Sequence, residues 1–176
     1  MGLDIIAVSN VVKMENPTLD GWDTPVGVHA DTFKAYHLRG FERSFRGLEE
    51  EAWYMTTDES DMVDFRAGSY GGYNKWRDHL ATFGVGVPAA EIWANTDKYQ
   101  DGPFFELINF ADNEGSIGPD AARDLDIDFA VNRDDVEQKA RAHFTDDGDF
   151  DWFMQKYDDW AEAFKIARNQ GLVYFC

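Results

Sequence analysis

The chain has a single cysteine among its 176 residues, and that cysteine, Cys176, comes last. No disulfide can close within it, and no Cys-x-x-Cys redox or zinc pair exists. Its four histidines, His29, His37, His79 and His143, are scattered. Neither His-Glu-x-x-His nor a Cys/His ligand spacing occurs, so zinc chemistry has no support in the pattern. No Gly-x-Ser-x-Gly elbow is present, and a serine nucleophile of that kind is not expected. No apolar run approaches the length of a membrane span. The opening Met-Gly-Leu-Asp-Ile-Ile has no basic region, no cleavage signal and no Ser or Thr at position 6, so neither a secretion signal nor myristoylation is expected. Basic residues are scarce, 16 Lys and Arg against 34 Asp and Glu, which leaves a net charge of −18. A field of that sign repels nucleic acid and anionic membrane surfaces. The expectation is a cytoplasmic protein with no direct nucleic-acid or membrane partner, no metal and no cofactor.

Apolar mass, by contrast, is plentiful. Hydrophobic residues make up 44% of the chain, with six Trp and 14 Phe. That excludes a disordered chain despite the charge. It also leaves enough aromatic surface for a homodimer. No repeat, low-complexity tract or linker divides the sequence, so a single domain over 1–176 is expected, strand-rich over 1–66, helix-rich over 71–170, with a closing strand over 172–175.

Residues 4–12 are rich in β-branched side chains and read as a first strand. Short strands are expected over 26–30, 35–38, 52–57 and 62–66, with a helix start as the alternative for 35–38, and the last two are joined by the acidic turn 58–61. Beyond them the period changes to that of a helix. Tyr73, Trp76, Leu80 and Phe83 share one helical face that Gly84 ends. Residues 88–93 suggest a short helix. Pro103 can open one carrying Phe104, Phe105, Leu107, Ile108 and Phe110 into the core. Pro119 repeats the signal with Ala122, Leu125 and Phe129, and Val136, Ala140 and Phe144 mark a further piece. The last helix has Asp149 and Asp151 near its start, Lys165 and Arg168 near its end, and a buried stripe of Phe153, Tyr157, Trp160, Phe164 and Ala167. Gly171 fits the left-handed position after it. Strands first and helices after give an α+β fold with a mostly antiparallel sheet.

Two stretches carry candidate chemistry. In the first, a strand ends at Arg66 and Ala-Gly-Ser-Tyr-Gly-Gly opens a helix, so that free N–H groups and close-approach glycines form an anion site. Arg66, Ser69 and Arg77 bracket it, and Tyr70 and Tyr73 are placed to stack on a flat ligand. The blander reading makes Ser69 a helix cap, Tyr73 a core residue and the arginines partners of Asp64 or Asp78. The turn matches neither the Walker A pattern nor the dinucleotide fingerprint. In the second, residues 109–119 form a polar loop in which Asp112 and Glu114 can hydrogen-bond a ribose or base, hold a metal or act as an acid/base pair. Helix capping is the alternative, with Asp112 closing one helix and Ser116 or Gly118 starting the next, and the EF-hand spacing is absent.

The same two stretches, Arg-Ala-Gly-Ser-Tyr-Gly-Gly-Tyr-Asn-Lys-Trp-Arg and Phe-Glu-Leu-Ile-Asn-Phe-Ala-Asp-Asn-Glu-Gly-Ser-Ile-Gly-Pro, together with the Met-Gly-Leu-Asp-Ile start and the Trp-x-x-Ala-Phe helix running into Gly-x-Val, resemble a family of small uncharacterised proteins of bacteriophages and prophages. Residues 15–61 lie outside the resemblance. It implies a phage accessory protein acting inside the infected bacterial cell, and it implies no particular chemistry. In that setting the first expectation is binding of a small phosphorylated, nucleotide-like ligand, as a sponge for a host immune signal, through Arg66, Ser69, Tyr70, Tyr73, Arg77, Asp112 and Glu114. The second is an acidic nucleic-acid mimic that blocks a basic host protein through the face running from Asp120 to Asp159. The third is a metal-dependent hydrolase or nuclease using Asp112 and Glu114.

Overall fold

The structure, a computed structural model, describes residues 2–176. Its larger sheet is antiparallel throughout, with β1 (Gly2–Val8) between β5 (Met62–Ser69) and β7 (Leu172–Phe175), and β6 (Gly115–Ile117) beyond β7. A smaller sheet places β4 (Trp53–Met55) between β2 (Val12–Lys13) and β3 (Thr32–Lys34). The helices are α1 (Tyr70–Gly84), α2 (Ala89–Ala94), α3 (Thr96–Tyr99), α4 (Phe105–Ile108), α5 (Pro119–His143) and α6 (Asp147–Ala167). The fold is α+β, as the sequence pattern indicates.

Side chains alternate across a strand, and β1 buries one face along its length and the other only toward its C-terminal end. Leu3, Ile5 and Ala7 point into the helical layer, while Val8 and half-buried Ile6 point to the small sheet. The molecule is therefore three layers deep: small sheet, large sheet, helices. At the helical interface Trp160 of α6 stacks on Tyr73 at 5.6 Å and Trp76 at 6.0 Å, and meets Phe65 of β5 edge-on at 5.1 Å. Asp146 caps α6 by accepting from the N–H groups of Gly148 and Asp149.

Several local expectations are corrected. The first strand stops at Val8 because Asn10 takes a left-handed conformation (φ 49°) and turns the chain into the small sheet. Residues 26–30 and 35–38 form no strand; the pairing centres on Thr32–Lys34 between them. The helix expected after Pro103 shrinks to the four residues of α4, because Phe104 is left-handed (φ 61°) and gives its N–H to Asp128. The pieces around Phe129 and Val136 are one helix of 25 residues. After α6 the left-handed residue is Gln170 (φ 49°). Gly171 is needed for space: a Cβ there would lie 1.8 Å from the Val8 carbonyl oxygen. The closing strand β7 lies inside the sheet, next to β1.

Candidate functional site

The glycine-rich turn is not a loop. β5 passes directly into α1, and Ser69 is the N-cap, its Oγ accepting from the Gly72 N–H at 3.1 Å. Gly71 and Gly72 are first-turn residues, and Tyr70 packs half-buried against the core. Part of the anion-binding capacity of that helix start is thus satisfied within the chain.

Tyr73 and Arg77, expected to touch a ligand, are internal. Arg77 occupies the i+4 position after Tyr73 and is only 3% exposed. Its guanidinium donates to the carbonyl oxygens of Phe110 and Ile108 and to Asn74 Oδ1, and lies 4.5 Å from the Tyr73 ring centroid and 5.4 Å from that of Trp93. No carboxylate among the described residues lies within ion-pair distance of it. Asn74 carries the compensation instead, donating from Nδ2 to Asp112 Oδ2 at 2.7 Å. Burial pushes the Tyr73 hydroxyl up to about 12, and neither that hydroxyl nor Arg77 Nε has a hydrogen-bond partner among the described residues. The fold therefore does bring the two sequence constellations together, through Tyr73, Asn74, Arg77 and Asp112. It brings them together as a buried clamp that ties α1 to the turn after α4.

Arg66 is not part of the clamp. It projects from the opposite side of the large sheet, exposed, 3.9 Å from Asp4, while its carbonyl oxygen accepts from Lys156. Glu114 is exposed at the entry to β6 and has no ion pair among the described residues.

The cleft with the most convergent chemistry lies in the stretch from which sequence reasoning drew least. A groove of about 510 Å³ opens where the small sheet leaves the outer face of the large one. Ile6, Met62 and Tyr174 form its floor; Phe33 meets Tyr174 edge-on at 5.8 Å. Trp53, Tyr36 and Trp22 stand around it. Trp22 is 89% exposed, yet its turn is built: Asp20 accepts from the N–H groups of Trp22 and Thr24 and closes the turn with its own N–H on the Thr24 carbonyl. The Trp22 ring is thus exposed on a fixed turn at the groove. Lys34 enters the groove compensated twice, 2.7 Å from Asp23 and 2.8 Å from Glu51; these carboxylates hold its ammonium well above the usual lysine range. The Asp31 carboxylate has no ion pair or hydrogen bond among the described residues. An aromatic groove with its one cation neutralised and one carboxylate free favours a flat, neutral or cationic guest.

Elsewhere, acidic groups are mostly committed. Asp120 pairs with Arg123, Asp124 with Arg46, Asp126 with Arg168 and Asp158 with Arg133, so the acidic face of α5 and α6 is a lattice of ion pairs over much of its length. Glu106 is buried under Arg43 and Arg46. Burial, helped by Glu106 and Asp124, pushes Asp128 up to about 6 against the pull of the Phe104 N–H. Among the described residues no group of three or more His, Cys, Asp or Glu side chains is placed to hold a metal ion. None of the described helices is long and apolar enough to cross a membrane. Compared with known protein families, curated proteins and solved structures, the chain matches none.

Proposed function

We propose that this chain is a binding protein whose ligand presents a flat, neutral or cationic group to the groove between the two sheets. The observation that carries the reading is that Trp22, Tyr36, Trp53 and Tyr174 line one groove with a lysine already neutralised by Asp23 and Glu51. A guanidinium or an uncharged base gains stacking there, whereas an anion meets Asp23 and Asp31. Of the two partner classes expected from the sequence, a basic host protein suits the groove better than a phosphorylated small molecule. The test is a thermal-shift panel of arginine amide, nucleosides, mononucleotides, and cyclic di- and trinucleotides. A ligand at 100 times its dissociation constant adds about 2.7 kcal/mol, several degrees for a chain of this length. The expected result is a shift with arginine amide or a nucleoside that Trp22→Ala abolishes; shifts equal in wild type and Trp22→Ala would refute the site.

One observation favours a second reading, the nucleotide-like sponge. Arg66 stands on the same outer sheet face as Met62, four residues and about 13 Å along the strand. A base in the groove would send its phosphates toward that exposed guanidinium. This reading requires mononucleotides to outbind nucleosides and Arg66→Ala to erase the difference.

A further inference from the structure

Resting on the reading that the groove is the binding site, we propose that its occupant is an extended basic segment of a partner protein, added as a strand to the free edge of β3. The groove touches side chains from both faces of β3. Phe33 and Tyr54 face the large sheet, so Thr32, Lys34 and the Lys34-paired Trp53 face the other way. A cavity that meets both sets reaches the edge of the strand. That edge is unpaired. Asp31 and Ala35 bond to Thr56 and Ala52, which puts Phe33 in the next hydrogen-bonded pair and turns the N–H and C=O groups of Thr32 and Lys34 outward. No other described residue takes them up, whereas the next outward N–H, that of Tyr36, is held by Ser116 Oγ of β6 and closes the edge there. By contrast, the outer edge of β5 is occupied at Arg66 by the Lys156 ammonium. Open main-chain groups beside side-chain pockets are what strand addition uses.

Charge selects the occupant. Asp31 is free, Lys34 is neutralised, and the chain as a whole carries −18. A cationic segment is steered toward such a site and an acidic one repelled. Alternation selects its pattern. Side chains pointing to the floor meet Ile6, Met62 and Tyr174 beside Asp31, which shares the face of Phe33, and those pointing outward meet Trp22 and Trp53 beside Asp23. The segment therefore alternates apolar and arginine residues.

The probe is a capped, fluorescently labelled Arg-Val-Arg-Val-Arg-Val peptide, with two control peptides N-methylated on alternate residues, one in each register. Fluorescence anisotropy should show saturable binding that falls at least tenfold for one of the methylated peptides. Thr32→Pro, which deletes an outward N–H on an edge strand, should cause the same loss. Asp31→Asn should weaken peptide binding and lower its salt dependence. Should Thr32→Pro fail to fold, the methylated peptides decide the matter alone. Equal binding of all three peptides overturns strand addition but leaves the groove reading standing. No peptide binding, with arginine amide or a nucleoside still bound in a Trp22-dependent way, overturns it too. No Trp22-dependent binding of any probe overturns both.

Discussion

Replacing Arg77 by methionine separates the two roles that its position allows. The guanidinium is buried under Tyr73 and Trp93 and reaches three acceptors. Methionine fills much of the same apolar volume but donates nothing. The Ile108 carbonyl keeps a partner, the Trp93 indole N–H at 2.8 Å. The Phe110 carbonyl loses its only one among the described residues, at a cost of about 1–3 kcal/mol for a buried acceptor left bare. Loss of the contacts to two aromatic faces adds about 1–2 kcal/mol. Removing a buried charge with no carboxylate beside it gives part of this back. The net is a destabilisation of about 3 kcal/mol, which for a chain of this size lowers Tm by roughly 6–12 °C. Urea unfolding of wild type, Arg77→Met and Arg77→Lys, followed by tryptophan fluorescence, measures it. The lysine variant, charged but without the fork, should fall between the other two. An Arg77→Met protein within about 0.5 kcal/mol of wild type would refute the clamp and return Arg77 to the list of ligand contacts.

Other outcomes follow from the same geometry. Gly171→Ala drives a methyl into the Val8 carbonyl at 1.8 Å and should cost more than about 2 kcal/mol in a denaturant titration. His79 sits among Phe83, Phe144 and Phe153 with its Nε2 unpartnered; burial, then His143 and Lys75, lower its pKa against the weaker pull of Asp78 and Asp149. A base whose folded pKa lies below its unfolded value leaves stability intact above about pH 6.5 and removes it as pH falls further, so Tm should drop between pH 7 and 5 and His79→Phe should flatten that drop. Asp128, raised to about 6, has the opposite sign: the penalty of its buried carboxylate is present above that pH and is relieved as pH falls from about 6 toward its unfolded value near 3.8. Asp128→Asn should therefore steepen the acid-side loss of Tm relative to wild type. Asp146→Ala should cost about 0.5–2 kcal/mol as a lost helix cap, read in the same unfolding assay.

The helical layer was legible because its signals are dense and local. The stripes of α1 and α6 bury the side chains that their spacing nominated. The same spacing held the correction for Arg77, since position i+4 after Tyr73 and next to Trp76 belongs to the buried face; its charge drew attention to a ligand instead. The small sheet was legible only at its central strand, expected over 52–57 and found at Trp53–Met55. Its strands are two or three residues long and exist because Phe33, Ala35 and Tyr54 pack on Val8 and Leu172 from distant parts of the chain. No local pattern of that length outweighs the competing loop propensity. The groove inherits this: Trp22, Tyr36, Trp53 and Tyr174 converge only through the stacking of two sheets. The one local sign was Asp20 before Gly21-Trp22, an Asx turn holding a tryptophan where no core was expected.

The most direct test uses the six tryptophans as reporters. Each indole N–H gives its own cross peak in a ¹⁵N-correlated NMR spectrum, and substitution assigns them. On saturation with the arginine-valine peptide, the peaks of Trp22 and Trp53 should move, while those of buried Trp76 and Trp160 stay in place. If the peak of Trp93 beside Arg77 moves instead, the ligand enters at the clamp on α1 and the groove is not the binding site.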